Sequence, residues 1–318
     1  EQSYKDAVFI SPHKFVGGPG TPGVLVVRRE LLGNRVPSVP GGGTVTYVSS
    51  TDHHYVSDFA HREEGGTPAI VESIRAGLVF KLQQAVGPQV IHDREQAFLR
   101  RALDSWSANP NLEILGNLDA DRLAIASLLI RGPGGKYLHY NYVVTLLSDL
   151  FGIQTRGGCS CAGLYGHRLL DIGPARSRQF EQEVLAGREG IKPGWVRIGF
   201  DYTMSDSVAG YVIEAVHQVA SMGWSLLGDY RFDPVTGLWR HHRATGPQVR
   251  LADLRYAPDG PHHPPTPGAM GEDAMSRHLN EAARIFASAG GSNGTAPGHV
   301  TSSFDELRWF ELPAVWLT

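Results

Sequence analysis

Two short apolar runs that frame a lysine constrain the fold of this sequence more than any other feature. The runs cover residues 7–10 and 23–28, and between them lie Ser11-Pro12-His13-Lys14 and a loop rich in glycine and proline. Runs of this length and composition are typical of β-strands buried on both faces of a sheet. We therefore expect Lys14 to be held rigidly between two buried strands. Such a lysine is desolvated, which lowers the pKa of its amine and makes it a nucleophile.

The lysine segment indicates a cofactor as well as a fold. An amine nucleophile forms a Schiff base with an aldehyde such as pyridoxal phosphate, and a hydroxyl, an imidazole and a glycine-rich backbone suit the phosphate group. The order Ser-x-His-Lys, a Gly/Pro loop and an apolar strand resembles the cofactor-lysine motif of class V aminotransferase-fold enzymes, which include the cysteine desulfurases. The resemblance implies pyridoxal phosphate bound through Lys14, with Ser11 and His13 beside it.

A second segment, residues 155–162 (TRGGCSCA), carries an arginine and two cysteines. Its spacing Arg-x-Gly-x-x-Cys-Ala is similar to the active-site loop of cysteine desulfurases. The resemblance implies that Arg156 holds the substrate α-carboxylate, since a planar guanidinium forks two hydrogen bonds onto a carboxylate. It also implies that Cys161 takes sulfur from L-cysteine as a persulfide while alanine is released. Cys159 has no counterpart in the motif and is either a persulfide relay or a small packed residue.

Two glycine-rich stretches, residues 39–44 (VPGGGT) and 62–68 (REEGGTP), extend the resemblance. In the family, the first stretch lends a glycine backbone and a hydroxyl to the cofactor phosphate of the partner subunit. Backbone N–H groups in such a turn form a nest for an anion. The resemblance therefore implies that Gly43 and Thr44 bind the cofactor phosphate and that the protein is a homodimer with shared sites.

Composition limits the other classes of function. The chain has 318 residues, of which 42% are hydrophobic and 19% charged, and its net charge of −3 gives no electrostatic case for nucleic acid. No apolar stretch approaches the roughly 18–20 residues that span a bilayer. Its two cysteines, Cys159 and Cys161, do not suit a disulfide scaffold, and no ligand spacing predicts a metal site. We expect a protein of a reducing compartment, the cytoplasm.

Three regions are predicted along the chain. Residues 1–90 are β-rich and end in a helix at 70–86, where Ile70, Ile74, Leu78 and Leu82 recur at helical spacing. Residues 91–228 mix helices and strands as a small α/β domain does. Residues 229–318 form a tail of unknown role, partly flexible, with a helix at 272–288. The predicted elements of the middle region are helices at about 92–106, 140–151 and after Thr203, and strands at about 112–115, 123–130 and 195–200. Thr203 and Asp206 resemble a variant of the capping box at the start of the last helix.

Together the segments predict an α/β protein of the pyridoxal phosphate-dependent transferase fold, type I. Residues 1–90 would be the C-terminal part of the large cofactor-binding domain, and residues 91–228 the small C-terminal domain. In the family this lysine lies near the middle of the chain, so the sequence is interpreted as the C-terminal part of a longer protein. The residues that contact the pyridine ring in the family would lie upstream and cannot be assigned.

The resemblance leaves the reaction open. The first hypothesis is a cysteine desulfurase or selenocysteine lyase, with an amino acid substrate, possibly L-cysteine, and a possible sulfur-acceptor protein. The second is another class V reaction, such as that of an aminotransferase, an epimerase or a β-lyase, because one fold hosts several chemistries. The third is a non-catalytic fragment or interaction protein.

Overall fold

The computed structural model describes residues 4–158, 163–245, 250–262, 271–289 and 300–313. The chain divides into two compact units, residues 1–91 and residues 92–318, and each is described by itself. Across these described ranges, no helix is both long enough and apolar enough to cross a membrane.

The first unit contains two separate β-hairpins and two helices. Strand β1 (Ala7–Ile10) pairs antiparallel with β2 (Val24–Val27). Strand β3 (Val45–Val48) pairs antiparallel with β4 (His53–Tyr55). The helices are α1 (Phe59–Glu63) and α2 (Ile70–Val86). The predicted strands around Lys14 and the predicted helix at 70–86 are therefore confirmed.

The prediction that β1 and β2 are buried on both faces is wrong. Phe9 is 81% exposed, and Leu25 and Val26 are 52% and 56% exposed. The reason is that β1 and β2 pair only with each other among the described residues, so the two-stranded sheet leaves these side chains uncovered. The apolar runs fixed the strand conformation but not its burial.

Helix α2 also exposes most of its apolar stripe. Ile74 and Leu78 are 61% and 62% exposed, whereas Ala76 and Val79 are buried. The buried side of α2 meets the segment that carries Lys14, since the rings of Phe15 and Phe80 make an edge-to-face contact with centroids 5.6 Å apart. The contact side of this helix is thus set by the lysine turn and not by its most hydrophobic residues.

The second unit is built on a four-stranded antiparallel sheet. Its strands are β5 (Leu112–Ile114), β6 (Ile125–Ile130), β7 (Arg156–Gly158) and β8 (Trp195–Gly199), in the order β5-β6-β8-β7. Two further hairpins follow, β9 (Tyr230–Phe232) with β10 (Trp239–His241), and β11 (Arg255–Ala257) with β12 (Gly260–His262). The helices are α3 (Pro88–Ser107), α4 (Tyr140–Phe151), α5 (Gly163–Leu169), α6 (Pro174–Leu185), α7 (Asp206–Met222), α8 (Asp273–Ser288) and α9 (Ser302–Leu307).

The sheet has two differently covered faces because side chains alternate along each strand. Leu128 and Ile130 of β6 lie in the main core, together with residues of α3, α4 and α7. Leu129 points to the other face, where it packs in a small cluster with Leu115 and Trp195. This second face carries the residues of interest described below.

The segment after residue 228, which the sequence analysis set apart as a tail, contributes to the core of the second unit. Its core residues are large and mostly aromatic: Phe232, Trp239, Phe286, Phe304 and Phe310. Several of these rings surround His139, the N-cap residue of α4, whose side chain is fully buried. The last helices and the small α/β domain therefore share one hydrophobic core.

The start of α7 differs from its prediction. A capping box at Thr203 and Asp206 was expected, but Ser205 is the N-cap, and its hydroxyl accepts the backbone N–H of Val208 at 3.2 Å. Thr203 instead donates its hydroxyl to Asp201 at 2.6 Å. The helix thus begins at Asp206, and Ser205, not Thr203, is its N-cap.

Candidate active site residues

Lys14 ends a single turn of 3₁₀-helix, Pro12–Lys14, that follows directly from β1. The backbone N–H of Lys14 donates to the carbonyl of Ser11 at 3.0 Å and closes the turn. The loop after the turn passes so close to the backbone of Pro12 that a Cβ at Gly18 would lie 1.9 Å from the Pro12 carbonyl oxygen. Only glycine fits there, which explains why a glycine-rich loop follows the lysine.

The side chains of this turn are available for a ligand. Lys14 and His13 are exposed and Ser11 is partly buried. None of the three side chains forms an ion pair or a hydrogen bond with a residue that the structure describes. The desolvation expected for Lys14 is absent in this unit, because the β1–β2 sheet beside it is itself uncovered.

The second predicted cofactor turn is closed by its own threonine. Thr44 is fully buried, and its hydroxyl donates to the carbonyl of Gly41 at 2.6 Å while accepting the Gly41 N–H at 3.2 Å. Gly43 has a φ of 83°, a left-handed value that favours glycine, and it is exposed. Thr44 therefore shapes the turn, and the part that faces outward is the backbone of Gly43.

Arg156 lies on the second face of the sheet, in direct register with another arginine. It is the first residue of β7 and pairs with Arg197 of β8, which in turn pairs with Ser127 of β6. Directly paired residues of antiparallel strands project to the same face, with Cβ atoms about 5 Å apart. The sheet thus presents two guanidinium groups and a hydroxyl in one row.

This arginine pair has no counter-charge among the described residues. Arg156 is exposed and Arg197 partly buried, and neither forms an ion pair with any of those residues. Like charges placed directly opposite on a sheet are destabilising. An anion that accepts hydrogen bonds from both groups would remove this penalty, and a carboxylate has the matching planar geometry. The row is therefore a candidate carboxylate site.

Arg197 was not predicted from the sequence as a site residue. A signal was present, since the strand Trp195–Gly199 carries one charged residue among apolar ones. Its pairing with Arg156 depends on the register between strands that are distant in sequence, and periodicity along a single strand does not contain that information.

The predicted nucleophile Cys161 and its neighbour Cys159 lie outside the described residues. The segment before them is tightly packed: a Cβ at Gly157 would lie 2.9 Å from the Tyr140 ring, and one at Gly194 would lie 2.6 Å from the backbone of Gly158. Gly157 is therefore required by the close approach of β7 to α4, and Gly194, just before β8, by the close approach of β7.

The site residues fall into two groups. Ser11, His13 and Lys14 share one turn of the first unit, and Gly43 and Thr44 form another turn of that unit. Arg156 and Arg197 lie on the sheet of the second unit.

Comparison with known protein families gives one extended match. The family model described as Aminotransferase class-V matches residues 2–205. The match includes every predicted site residue and also Arg197, and it ends just before α7.

Curated relatives that resemble the chain are cysteine desulfurases. A probable cysteine desulfurase of Synechocystis is 31% identical over 175 residues, which are 54% of this chain and 40% of the relative. A cysteine desulfurase of Cronobacter sakazakii is 31% identical over 157 residues, 49% of this chain and 36% of the relative. The chain thus spans about two fifths of the length of these relatives.

Solved structures show the same fold. The apo cysteine desulfurase of Thermococcus onnurineus superposes with a TM-score of 0.53 at 24% identity, over 68% of this chain and 47% of that one. A cysteine desulfurase of Escherichia coli gives a TM-score of 0.52 at 22% identity, over 68% and 46% of the two chains. These likenesses, together with the family match, confirm the predicted α/β fold of type I.

Proposed function

The chain belongs to the aminotransferase class-V family, and we propose that it acts as a pyridoxal phosphate-dependent cysteine desulfurase. The observation that carries the proposal is the arginine pair, Arg156 opposite Arg197, in which Arg156 precedes Cys159 by three residues and Cys161 by five. Two guanidinium groups that have no ion-pair partner among the described residues, one of them close in sequence to two cysteines, suit a substrate that has both a carboxylate and a sulfur atom.

The residues of the first unit fit the cofactor chemically. Lys14 offers an exposed amine with no competing carboxylate among the described residues, and the hydroxyl of Ser11 and imidazole of His13 flank it. We propose that Lys14 holds pyridoxal phosphate through its amine, and that Ser11 and His13 contact it. When bound, this cofactor withdraws electron density from the substrate Cα.

The residues of the second unit would bind and cleave the substrate. Arg156 and Arg197 would orient the α-carboxylate of the substrate. The amine of Lys14 would be the base that takes the Cα proton. The Cys161 thiolate attacks the substrate sulfur, so that an S–S bond forms as the C–S bond breaks. The electron pair of the broken bond stays with the substrate carbon, which takes up a proton and leaves as alanine.

The remaining predictions concern partners. We propose a homodimer, because the outward-facing backbone of Gly43 suits the cofactor phosphate of a second subunit. A cysteine persulfide transfers its sulfur to another thiol, so we propose a sulfur-acceptor protein as a further partner, in the cytoplasm where thiols stay reduced.

The test is turnover of L-cysteine by the purified protein with added pyridoxal phosphate, measured as alanine and, with a reductant, as sulfide. We expect Cys161→Ala to lose sulfide release and Cys159→Ala to retain most of it. We expect Arg197→Gln to raise KM about 10- to 100-fold, the effect of losing a charge-assisted hydrogen bond. Arg178→Gln, at an exposed position of α6, is the matched control.

Two results would overturn the proposal. Full sulfide release by Cys161→Ala would exclude the persulfide, and an unchanged KM in both Arg156→Gln and Arg197→Gln would remove the arginine pair from substrate binding. Conversion of another amino acid without sulfide would favour a different class V reaction.

A further inference from the structure

A cavity lies on the same face of the sheet as the arginine pair, beside the start of β8. Its volume is about 200 Å³. Pockets for drug-sized ligands measure roughly 300–1,000 Å³, so this cavity would take a smaller molecule. Leu129 of β6 and Gly194 form its base, and neither Arg156 nor Arg197 lines it. The walls are mainly apolar and aromatic, formed by Tyr137, Leu170, Ile172, Phe180 and Trp309.

Two opposite charges line this apolar cavity. Asp171 follows the end of α5, and Arg176 lies in the first turn of α6. Neither side chain forms an ion pair with any residue in the described part of the chain, and the two do not pair with each other. The guanidinium carbon of Arg176 lies 5.7 Å from the centre of the Phe180 ring, a cation–π distance that leaves its N–H groups free.

The backbone that carries these charges is fixed. Asp171 has a φ of 50°, the single positive value of a non-glycine residue among those described, and aspartate tolerates this conformation. The N–H of Ile172 donates to the carbonyl of His167 at 2.8 Å. The ring of His167 contacts Ser177 of α6 at 2.8 Å, which ties the two helices together around the cavity.

The aromatic wall is fixed as well. The indole N–H of Trp309 donates to the carbonyl of Ile191 at 3.0 Å, and the phenol of Tyr137 donates to Glu113 at 2.7 Å. These bonds hold both rings at the cavity before any ligand arrives. Preformed apolar walls with a few placed polar groups are the usual make-up of small-molecule sites.

We propose that this cavity binds a free α-amino acid with an apolar or aromatic side chain, as a site separate from the proposed active site. Asp171 would accept hydrogen bonds from the ammonium group, Arg176 would donate to the carboxylate, and the side chain would pack against Trp309 and Phe180. Helix α5 leads from the cysteine segment to Asp171, so the bound amino acid would contact the far end of the helix that follows the proposed nucleophile.

The test is isothermal titration of the purified chain, without cofactor, with L-phenylalanine and L-leucine. Phenethylamine, which lacks the carboxylate, and 3-phenylpropanoate, which lacks the ammonium group, are the matched probes. We expect both amino acids to bind, and both probes to bind at least about tenfold more weakly. We expect Asp171→Asn and Arg176→Gln each to weaken the binding of both amino acids by at least about tenfold. Arg178→Gln should bind both amino acids as the unchanged protein does.

The variants separate binding from folding. Asp171→Gly keeps the left-handed turn while it removes the carboxylate, so a folded Asp171→Gly protein should also show the loss. The proposal is overturned if neither amino acid binds at millimolar concentration, or if affinity is insensitive to both Asp171→Asn and Arg176→Gln. Loss of binding in Arg156→Gln alone would place the ligand at the arginine pair and also overturn it. None of these results depends on desulfurase activity.

Discussion

The two units use similar helices in different ways. In the second unit, α4 buries its apolar side, with Tyr142, Leu146 and Leu147 fully inaccessible. In the first unit, α2 leaves Ile74 and Leu78 more than half exposed. In the second unit, the sheet, other helices and aromatic residues of the later segments pack against α4 and cover its apolar side chains. The comparison shows that an apolar stripe predicts a helix reliably, while its burial depends on which other elements are available to cover it.

The same contrast holds for the two sheets. The four-stranded sheet of the second unit is covered by α3, α4 and α7 on one face, and by a smaller cluster on the other. The β1–β2 hairpin of the first unit has one pairing and an exposed Phe9. Isolated two-stranded hairpins are marginal in water. We therefore expect the second unit to hold most of the stability of this chain.

The largest expected difference is between two leucine truncations. Leu146→Ala in α4 should reduce the free energy of unfolding by about 2–5 kcal/mol, since Leu146 is fully buried and its removal leaves a cavity. Leu78→Ala in α2 should change it by less than about 0.5 kcal/mol, because Leu78 is 62% exposed. Denaturant unfolding followed by circular dichroism measures both. An equal cost at Leu78 would mean that this face of α2 is covered in solution.

The next effect is a pH dependence that belongs to the second unit. Burial lowers the pKa of His139 from 6.5 to about 3, so the folded protein keeps this ring neutral. In the unfolded chain His139 binds a proton near pH 6.5, whereas in the folded protein it does so only near pH 3. The free energy of unfolding is therefore at its full value above pH 6.5 and decreases as the pH falls from 6.5 towards 3. Between pH 7 and pH 5 we expect a loss of about 2 kcal/mol of unfolding free energy from this group.

The histidine prediction has a control in the first unit. His139→Gln should lower stability at neutral pH but remove about 2 kcal/mol of the difference between pH 7 and pH 5. His53→Gln, at an exposed residue of the first unit that forms no ion pair with the described residues, is the matched control variant. If His139→Gln retains the full pH dependence, His139 is accessible to protons in the folded protein.

The smallest effect distinguishes two hydroxyls at the start of α7. Ser205→Ala should cost about 1 kcal/mol, because it removes the N-cap that accepts the Val208 N–H. Thr203→Ala should cost less, because Thr203 is exposed and its hydroxyl bonds, among the described residues, only to the nearby Asp201. Thermal unfolding of the two variants compares them directly, and the opposite order would restore the capping box at Thr203.

Local signals predicted most elements of the fold. Helix α4 was predicted at 140–151, where it is found, because its apolar spacing ends at Gly152, which adopts a left-handed φ of 66°. Strands β1 and β2 followed from short apolar runs. The core contributed by Phe304 and Phe310 was not predictable, because both rings contact Phe232 and Phe310 also contacts His139, residues that lie far earlier in the chain.

The residues of the candidate site were likewise predictable where the signal is local in the sequence. The motifs indicated Lys14 and Arg156, since both lie in short segments with characteristic neighbours. Arg197 was missed because only the β7–β8 register brings it opposite Arg156. The exposure of Lys14 was also missed, since it depends on what covers the β1–β2 sheet and not on the residues of the turn.

The most direct test of the account is to identify the residue that carries the cofactor. The purified protein is incubated with pyridoxal phosphate, reduced with borohydride, digested, and searched by mass spectrometry for a pyridoxyl group. We expect the label on the peptide that contains Lys14 and not on those with Lys81, Lys136 or Lys192, and we expect Lys14→Ala to abolish it. A label on another lysine, or an unlabelled Lys14 in protein that binds the cofactor, would contradict the account.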